Sequence, residues 1–256
     1  MSKNLKTRVE TDSLGEIKVP KDALWGAQTQ RAIENFPISG IKFKFPFGRS
    51  FLKALGVIKY SAAIANNDLG ILSNKKSDAI KSAAKKVING DVDDHFPIDI
   101  FQTGSGTSTN MNANEVIANL ASAKLKDQIS PNDEVNMSQS SNDTIPTAIC
   151  ISALLDMKEL LLPGLDVLIK EIDNKETKLK GVVKTGRTHL MDAMPIEFSQ
   201  ELSAWSAQLR GCKNSLNYSF KRLSELPQGG TAIGTGINSH KDLSLIHISE
   251  PTRRIE

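Results

Sequence analysis

Apolar residues recur along the N-terminal part of the chain at two spacings, and each spacing predicts one kind of secondary structure. Residues 7–20 alternate between polar and apolar side chains around a Ser-Leu-Gly turn at residues 13–15, which predicts a short β-hairpin. Beyond this point the spacing becomes three and four residues, as in an amphipathic helix. The residues with this helical spacing are Phe51, Leu52, Leu55, Ile58 and Ala62, then Ile80, Ala84, Val87 and Ile88.

The later part of the chain shows helical spacing as well. Residues 111–125 carry an apolar face, and the Gly/Ser/Thr-rich segment at residues 101–109 should lie at the N-terminus of that helix. A long periodic stretch begins at Ile145, with Pro146 expected in the first turn and Pro163 at a kink or break. A last helix is expected over residues 195–223, after a loop at residues 184–194.

These patterns predict a mainly α protein with two domains. Residues 1–143 should form a small α+β domain that is mostly helical and contains the hairpin. Residues 144–242 should form a set of long bundle helices.

The composition and net charge argue against nucleic acid and membranes as partners. The 256 residues are 39% hydrophobic and 24% charged, as expected of a folded protein, and the net charge of +3 is too small to favour nucleic acid. No stretch approaches the ~18 consecutive apolar residues of a membrane span. Cys150 and Cys212 form no CxxC pair, and the first residues contain no apolar leader segment. A cytoplasmic protein without a membrane partner is therefore expected.

Four polar loops stand out between the helices and contain many uncharged hydrogen-bond donors. They lie at residues 102–107, 138–143, 186–189 and 228–236. Hydroxyls, side-chain amides and backbone N–H groups at a helix N-terminus can hold a carboxylate without a full opposing charge. Each loop taken alone also fits an ordinary turn or helix cap. Together they favour a site for a small dianion.

The four histidines give one candidate for proton transfer. No two of them have the spacing of metal ligands on a helix, so no metal is expected. His189 lies in a polar Arg-Thr-His segment and has a side chain that titrates near neutral pH. A structural hydrogen-bonding role for His189 fits the motif equally well.

Taken in order, the polar motifs resemble those of the fumarase/aspartase superfamily, over residues 8–241. The motifs are Trp-Gly-Ala-Gln-Thr-Gln-Arg at residues 25–31, Phe-Gln-Thr-Gly-Ser-Gly-Thr at 101–107, Asn-Met-Asn-Ala-Asn-Glu-Val at 110–116, Ser-Gln-Ser-Ser-Asn-Asp at 138–143, Lys-Thr-Gly-Arg-Thr-His-Leu at 184–190 and Gly-Gly-Thr-Ala-Ile-Gly-Thr-Gly-Ile-Asn at 229–238. Within the superfamily the chain is most similar to the N-terminal half of class II fumarate hydratases. Its later helices would then belong to a truncated central bundle.

The resemblance implies a site for fumarate and malate, with no cofactor. By resemblance His189 is catalytic and transfers a proton at the hydroxyl end of the substrate. The substrate-binding residues carried over from the family motifs are Ser105, Gly106, Thr107, Ser140, Ser141, Asn142 and Thr188. The family also implies a homotetramer and a base, a serine on a loop of the C-terminal half, which this chain lacks.

Two alternatives remain open. One is another lyase of the superfamily, acting on aspartate or on a succinylated amine. Aspartate ammonia-lyases are the nearest rivals, but their pattern has Gln in place of His189 and Ala in place of Ser105. A helical scaffold that keeps the fold without the activity is the other alternative. The intact gene would decide between this scaffold and an enzyme, because only an enzyme needs the serine loop.

Two segments depart from the family pattern. The family commonly has His-Pro-Asn-Asp in a secondary dicarboxylate-binding loop, whereas this chain has Ser130, Pro131, Asn132 and Asp133. This substitution weakens the expectation of a secondary site. The tail at residues 243–256 ends the resemblance, and residues 243–253 match the translation of a common transposase-type sequencing adapter. We expect this tail to be non-native.

Overall fold

The computed structural model describes residues 6–42 and 48–240, and within them it contains seven α-helices and two β-hairpins. The prediction of a mainly α chain is confirmed. The described residues form two compact units, one of residues up to Ser152 together with those from Glu225 onward, the other Ala153–Ser224. The predicted domain division at residue 143 stays a prediction, and the predicted tail at residues 243–256 lies outside the described residues.

The elements of the first unit follow the predicted order. They are β1 (Thr7–Asp12), β2 (Gly15–Pro20), α1 (Ala27–Asn35), α2 (Gly48–Asp68), α3 (Asn74–Asn89), α4 (Thr107–Leu125) and α5 (Ser141–Asp156), whose last residues enter the second unit. A 3-10 turn occupies Asp93–His95 and a π-helical turn Pro131–Val135. The predicted hairpin at residues 7–20 is confirmed as the antiparallel pair β1 and β2.

Helices α2, α3 and α4 pack together and form the core of the first unit. Fully buried side chains on these helices include Leu52, Leu55, Ile80, Val87, Val116 and Ile117. Full burial of one such side chain stabilises the fold by roughly 1.5–3 kcal/mol. Helix α4, at the centre of this packing, is therefore held firmly beneath the loop at its N-terminus.

Glu115 on α4 fixes the start of helix α1. Gly26, the N-cap of α1, has no side chain to accept a hydrogen bond from the first turn. The Glu115 carboxylate accepts instead from the backbone N–H groups of Gly26 and Gln28, both at 2.9 Å, and of Thr29 at 3.1 Å. A carboxylate at a helix N-terminus also interacts favourably with the helix dipole.

Helix α5 begins earlier than the sequence predicts. Its first residue is Ser141, so Pro146 lies inside the helix and not in the first turn. The break expected at Pro163 is also absent, because the chain stays helical through a π-helical turn, Met157–Leu161, into helix α6 (Leu162–Lys178). Because the residues before Pro163 are helical, its missing N–H removes one backbone hydrogen bond just after the π-helical turn.

The second unit contains a hairpin that the sequence did not predict. The expected loop at residues 184–194 forms strands β3 (Val183–Thr188) and β4 (Met191–Glu197), and helix α7 spans Phe198–Leu223. Glu197 and Gln200 form a reciprocal capping box, which sets the start of α7 three residues after the predicted one. Helices α6 and α7 pack on each other, and Ser206 on α7 donates to Asp173 on α6 at 2.6 Å.

Candidate functional site

Ser105, Gly106 and Thr107 form the turn from which helix α4 begins. Gly106 is the N-cap, with a φ of 69°, in the left-handed region that favours glycine. A Cβ at this position would lie 3.0 Å from side-chain atoms of Ile145, so the close packing against α5 also favours glycine. The hydroxyl oxygens of Ser105 and Thr107 lie 2.8 Å apart. The turn thus places two hydroxyls at a helix N-terminus, where anions bind favourably.

Residues before this turn cap the helix in place of the glycine. Thr103 Oγ1 accepts the N–H of Ser108 at 3.3 Å, and Gln102 Oε1 accepts the N–H of Thr109 at 2.9 Å. Because these side chains satisfy the first turn, neither the Ser105 nor the Thr107 hydroxyl is needed as a cap.

Ser140, Ser141 and Asn142 form a second turn of this kind at the start of helix α5. Ser140 Oγ accepts the N–H of Asn142 at 3.3 Å, while the Ser140 N–H donates to Asp143 Oδ1 at 2.9 Å. The Ser140 hydroxyl thus caps the second helical residue, while the aspartate in the third position accepts the Ser140 backbone N–H. The short polar motif therefore has a structural role in starting the helix as well as a candidate binding role.

Asp143 also attaches the glycine-rich loop at residues 228–236 to the start of α5. Its other carboxylate oxygen, Oδ2, accepts the backbone N–H of Gly229 at 3.1 Å and of Thr231 at 2.8 Å. The side-chain amide of Asn142 donates to the Ala232 carbonyl at 2.9 Å. Asp143 is almost fully buried, so a network of hydrogen bonds is needed to stabilise its charge.

The structure thus brings together two of the predicted substrate-binding segments. The Asn110 side chain on α4 donates to Ser141 Oγ on α5 at 3.0 Å, and Gly106 lies against Ile145. The N-termini of α4 and α5 are therefore neighbours, and both carry uncharged donors.

Thr188 and His189 lie in the second unit, at the tip of the β3–β4 hairpin. Thr188 pairs with Met191, and the two turn residues, His189 and Leu190, have φ values of 51° and 63°. Positive φ at both central residues is the geometry of a type I′ turn, which suits a two-residue hairpin. The side chains of Thr188 and His189 are exposed.

The segment at residues 130–133, where the family has a secondary dicarboxylate-binding loop, is held by hydrogen bonds between its own residues. Ser130 Oγ accepts the N–H of Asp133 at 3.1 Å and donates to its carboxylate at 2.7 Å. Pro131 and Asn132 line a cavity of about 640 Å³ together with residues of α4 such as Asn119 and Ser122. The space for a ligand is present, but Ser130 and Asp133 already satisfy each other.

Three residues near the site, Lys59, Asn110 and Asp143, are not among the predicted site residues. Asn110 and Asp143 belong to motifs identified in the sequence, at residues 110–116 and 138–143, whereas Lys59 belongs to none. Lys59 is fully buried on α2 and donates to Asn136 and Gln139, just before the Ser140 turn. Its signal in the sequence is a lysine on the same helical face as Leu52 and Leu55. Burial lowers the pKa of Lys59 to about 7, although the negative charge of Asp143 raises it.

The described residues contain neither a cluster of metal ligands nor a membrane-spanning helix. No group of three or more His, Cys, Asp or Glu side chains with the geometry to hold a metal ion occurs in residues 6–42 and 48–240. Over the same ranges, each helix is too short or too polar to cross a membrane.

Comparison with known proteins places this arrangement in a family. A family model described as lyase matches residues 15–250. The chain therefore belongs to this lyase family. The crystal structure of class II fumarase from Schistosoma mansoni superposes with a TM-score of 0.89 at 39% identity, covering 98% of this chain and 54% of that one.

Curated relatives give the narrower class. The class II fumarate hydratase of Halobacterium salinarum is 53% identical over 253 residues, which cover 96% of this chain and 53% of the relative. The class II fumarate hydratase of Xylella fastidiosa is 56% identical over 239 residues, which cover 93% of this chain and 50% of the relative. The predicted resemblance is thereby confirmed, and the chain spans about half the length of the curated relatives it matches.

Proposed function

We propose that the chain supplies the N-terminal half of a class II fumarate hydratase, which interconverts fumarate and L-malate in the tricarboxylic acid cycle. The observation that carries the proposal is the adjacency of the N-termini of α4 and α5, joined by the hydrogen bond from Asn110 to Ser141. The names of the relatives support the same activity. The activity is proposed for the full-length protein.

The chemistry of the two turns fits a dicarboxylate. Hydroxyls of Ser105, Thr107, Ser140 and Ser141 and the amide of Asn142 are donors that carry no charge of their own. Donors of this kind, with two helix N-termini, stabilise carboxylates by oriented dipoles. Such a site distinguishes the positions of two carboxylates better than one strongly attracting cation would.

The proposed reaction uses these donors most in its transition state. In the direction from malate to fumarate, a base removes the proton on the carbon next to one carboxylate, which becomes an aci-carboxylate with added negative charge. The neighbouring hydroxyl then leaves with a proton as water. Oriented donors that meet the added charge lower the barrier, by ~3 kcal/mol for one well-placed donor.

The proposed roles divide between the two halves of the full-length protein. His189 delivers the proton to the departing hydroxyl, and Thr188 contributes a hydroxyl beside it. A serine of the C-terminal half acts as the base at carbon. The exposed position of His189 at a hairpin tip supports this role, since the ring nitrogens can reach a ligand.

An ammonia-lyase that acts on aspartate is the second candidate. Such an enzyme has the same fold and also acts on a four-carbon dicarboxylate, but its leaving group is an amine instead of a hydroxyl. His189 and Ser105 favour the hydratase because the ammonia-lyase pattern has Gln and Ala at these positions. A non-catalytic helical scaffold is the third candidate, and an intact gene without the serine loop would favour it.

We also propose that the full-length protein is a cytoplasmic homotetramer. Leu160, Val167, Leu168 and Trp205 are large apolar side chains of the second unit that are 48–66% exposed. Exposed apolar surface of this kind is typical of a helical interface between subunits. Cys150 and Cys212 are both unpaired, in keeping with a reducing compartment.

The test is to express the full-length protein from the intact gene and supply L-malate, then L-aspartate, while following the ultraviolet absorbance of fumarate. Fumarate formed from malate alone is the expected result. Fumarate formed from aspartate alone would replace the hydratase by the ammonia-lyase. Formation from neither substrate by a well-folded tetramer would favour the scaffold.

A further inference from the structure

A chain of hydrogen bonds connects a buried lysine on helix α2 with a hydroxyl at the start of helix α5. Lys59 Nζ donates to Asn136 Oδ1 and to Gln139 Oε1, each at 2.9 Å. Asn136 Oδ1 also accepts from Asn110 Nδ2 at 3.3 Å, and the same Asn110 amide donates to Ser141 Oγ at 3.0 Å. Two side-chain amides, those of Asn136 and Asn110, thus connect Lys59 with Ser141.

Two contacts fix the direction of Asn136 in this chain. Its oxygen faces the Lys59 ammonium group, and its Nδ2 donates to the backbone carbonyl of Gln139 at 3.3 Å. A protonated lysine has donors and no acceptor, so Asn136 must turn its oxygen towards Lys59. That oxygen then accepts from the NH₂ group of Asn110, whose second N–H points to Ser141. Because the Ser141 hydroxyl oxygen accepts this bond, its own proton is directed away from Asn110.

We propose that Lys59 is a positioning residue, which acts through Asn136 and Asn110 to turn the Ser141 hydroxyl proton towards a carboxylate of the bound substrate. This inference rests on the proposed function, since it names the ligand of the Ser141 hydroxyl as a dicarboxylate. Lys59 itself is fully buried, so it touches the chain of amides and not the substrate.

A purely structural role does not explain why a lysine is buried at position 59. Burying an ammonium group is unfavourable, and an apolar side chain of similar volume would pack on α2 at lower cost. The charged group that faces Lys59 is Asp143 on α5, while the segment before α5 contributes the uncharged amides of Asn136 and Gln139. A costly buried cation whose contacts lead to one hydroxyl of the site is explained by the orientation of that hydroxyl.

A double-mutant cycle in the full-length protein tests the proposal. The variants are Lys59→Met, Ser141→Ala and the pair, with Lys75→Met as the control because Lys75 is an exposed lysine on α3. Two quantities are measured for each variant: kcat/KM for malate, and the affinity for succinate, an unreactive dicarboxylate, by calorimetry. The succinate arm needs no catalysis, so it separates failure of this inference from failure of the proposed activity.

The two substitutions are expected to act on the same bond. Lys59→Met should lower kcat/KM and succinate affinity about tenfold or more in the parent protein, but less than about twofold when Ser141 is already alanine. Lys75→Met should change neither quantity. Equal losses in both backgrounds would overturn the proposal, because Lys59 would then act independently of Ser141.

A second variant covers the case in which Lys59→Met does not fold. Asn136→Ala breaks the same chain one residue further along, and it should show the same non-additivity with Ser141→Ala. If Lys59→Met and Asn136→Ala both abolish folding, Lys59 belongs to the stability of the fold and the proposal is wrong. A parent protein that binds succinate but forms no fumarate would contradict only the proposed function.

Discussion

The carboxylate of Asp143 accepts the backbone N–H of Thr231 at 2.8 Å, although the two residues are 88 positions apart. This bond attaches the glycine-rich loop to the first turn of α5, next to the predicted substrate-binding residues Ser140, Ser141 and Asn142. The other oxygen of this carboxylate accepts the backbone N–H of Ser140, which precedes the helix. One buried side chain therefore both starts the helix and holds the loop beside it.

Replacing Asp143 should release the loop. Asp143→Asn keeps the shape but loses the charge and one acceptor, so an NH₂ group would face a backbone donor. We expect a loss of about 2 kcal/mol or more in the free energy of unfolding and faster amide hydrogen exchange at residues 229–231. Asp127→Asn, at an exposed site of the same unit, is the control. Unchanged exchange in Asp143→Asn would show that the loop is held by other contacts.

His189 should control turnover without controlling assembly. In the full-length protein, His189→Asn is expected to lower kcat at least about tenfold, since it removes a group that transfers a proton. Size-exclusion chromatography should show an unchanged tetramer. His95→Asn is a useful comparison, because His95 accepts the N–H of Leu24 and should affect stability more than kcat. Equal kcat in parent and His189→Asn would remove His189 from the mechanism.

A substitution in the loop at residues 130–133 should leave the rate of the reaction almost unchanged. Ser130→His restores the residue that is common in the family and breaks the closed Ser130–Asp133 pair. We expect a change in the binding of a second dicarboxylate molecule, measured by calorimetry, with kcat altered by less than about twofold. A large change in kcat would instead assign this loop to the primary site.

Asp99 should make the first unit sensitive to strong acid. Burial raises the pKa of Asp99, but hydrogen bonds from Phe101, Ser39 and Gly40 outweigh it and lower the pKa to about 2. The unfolded value is about 4, so this stabilisation is complete above about pH 4 and is lost as pH falls towards 2. Urea unfolding of the parent and Asp99→Asn should differ most above pH 4. A difference that grows as pH falls would contradict the sign.

Helical periodicity predicted the parts of the fold that bury a continuous apolar face. Helices α2, α3 and α4 carry this periodicity clearly, and the structure has them at the expected positions. The hairpin β3–β4 was missed because its residues are mostly exposed on both faces, so no alternation of apolar and polar positions marks it. Its His189-Leu190 turn also lacks the Asn-Gly or Asp-Gly signature.

The sequence predicted which loops form the candidate site, but it did not predict the hydrogen bonds that connect them. The Gly/Ser/Thr composition located the turns before α4 and α5, since small polar residues mark helix N-termini. The sequence gives no sign that Asp143 bonds to residues 229 and 231, nor that Lys59 reaches Asn136. These contacts join segments far apart in the chain, so only the packing of the helices reveals them.

The 256-residue chain by itself should be inactive and prone to aggregate. It lacks the C-terminal serine that acts as the proposed base, and catalytic groups that work as a set do not replace one another. Apolar side chains of the second unit, such as Leu160 and Val167, remain exposed and favour non-specific association. Size-exclusion chromatography should show aggregates. A homogeneous tetramer would contradict this expectation.

The formation of fumarate from L-malate, followed by ultraviolet absorbance, tests the central claim most directly. The assay compares the full-length protein with the 256-residue chain under identical conditions. The account predicts steady fumarate formation by the full-length protein and none by the 256-residue chain. Fumarate formed from aspartate but not from malate by the full-length protein, or from malate by the 256-residue chain alone, would contradict it.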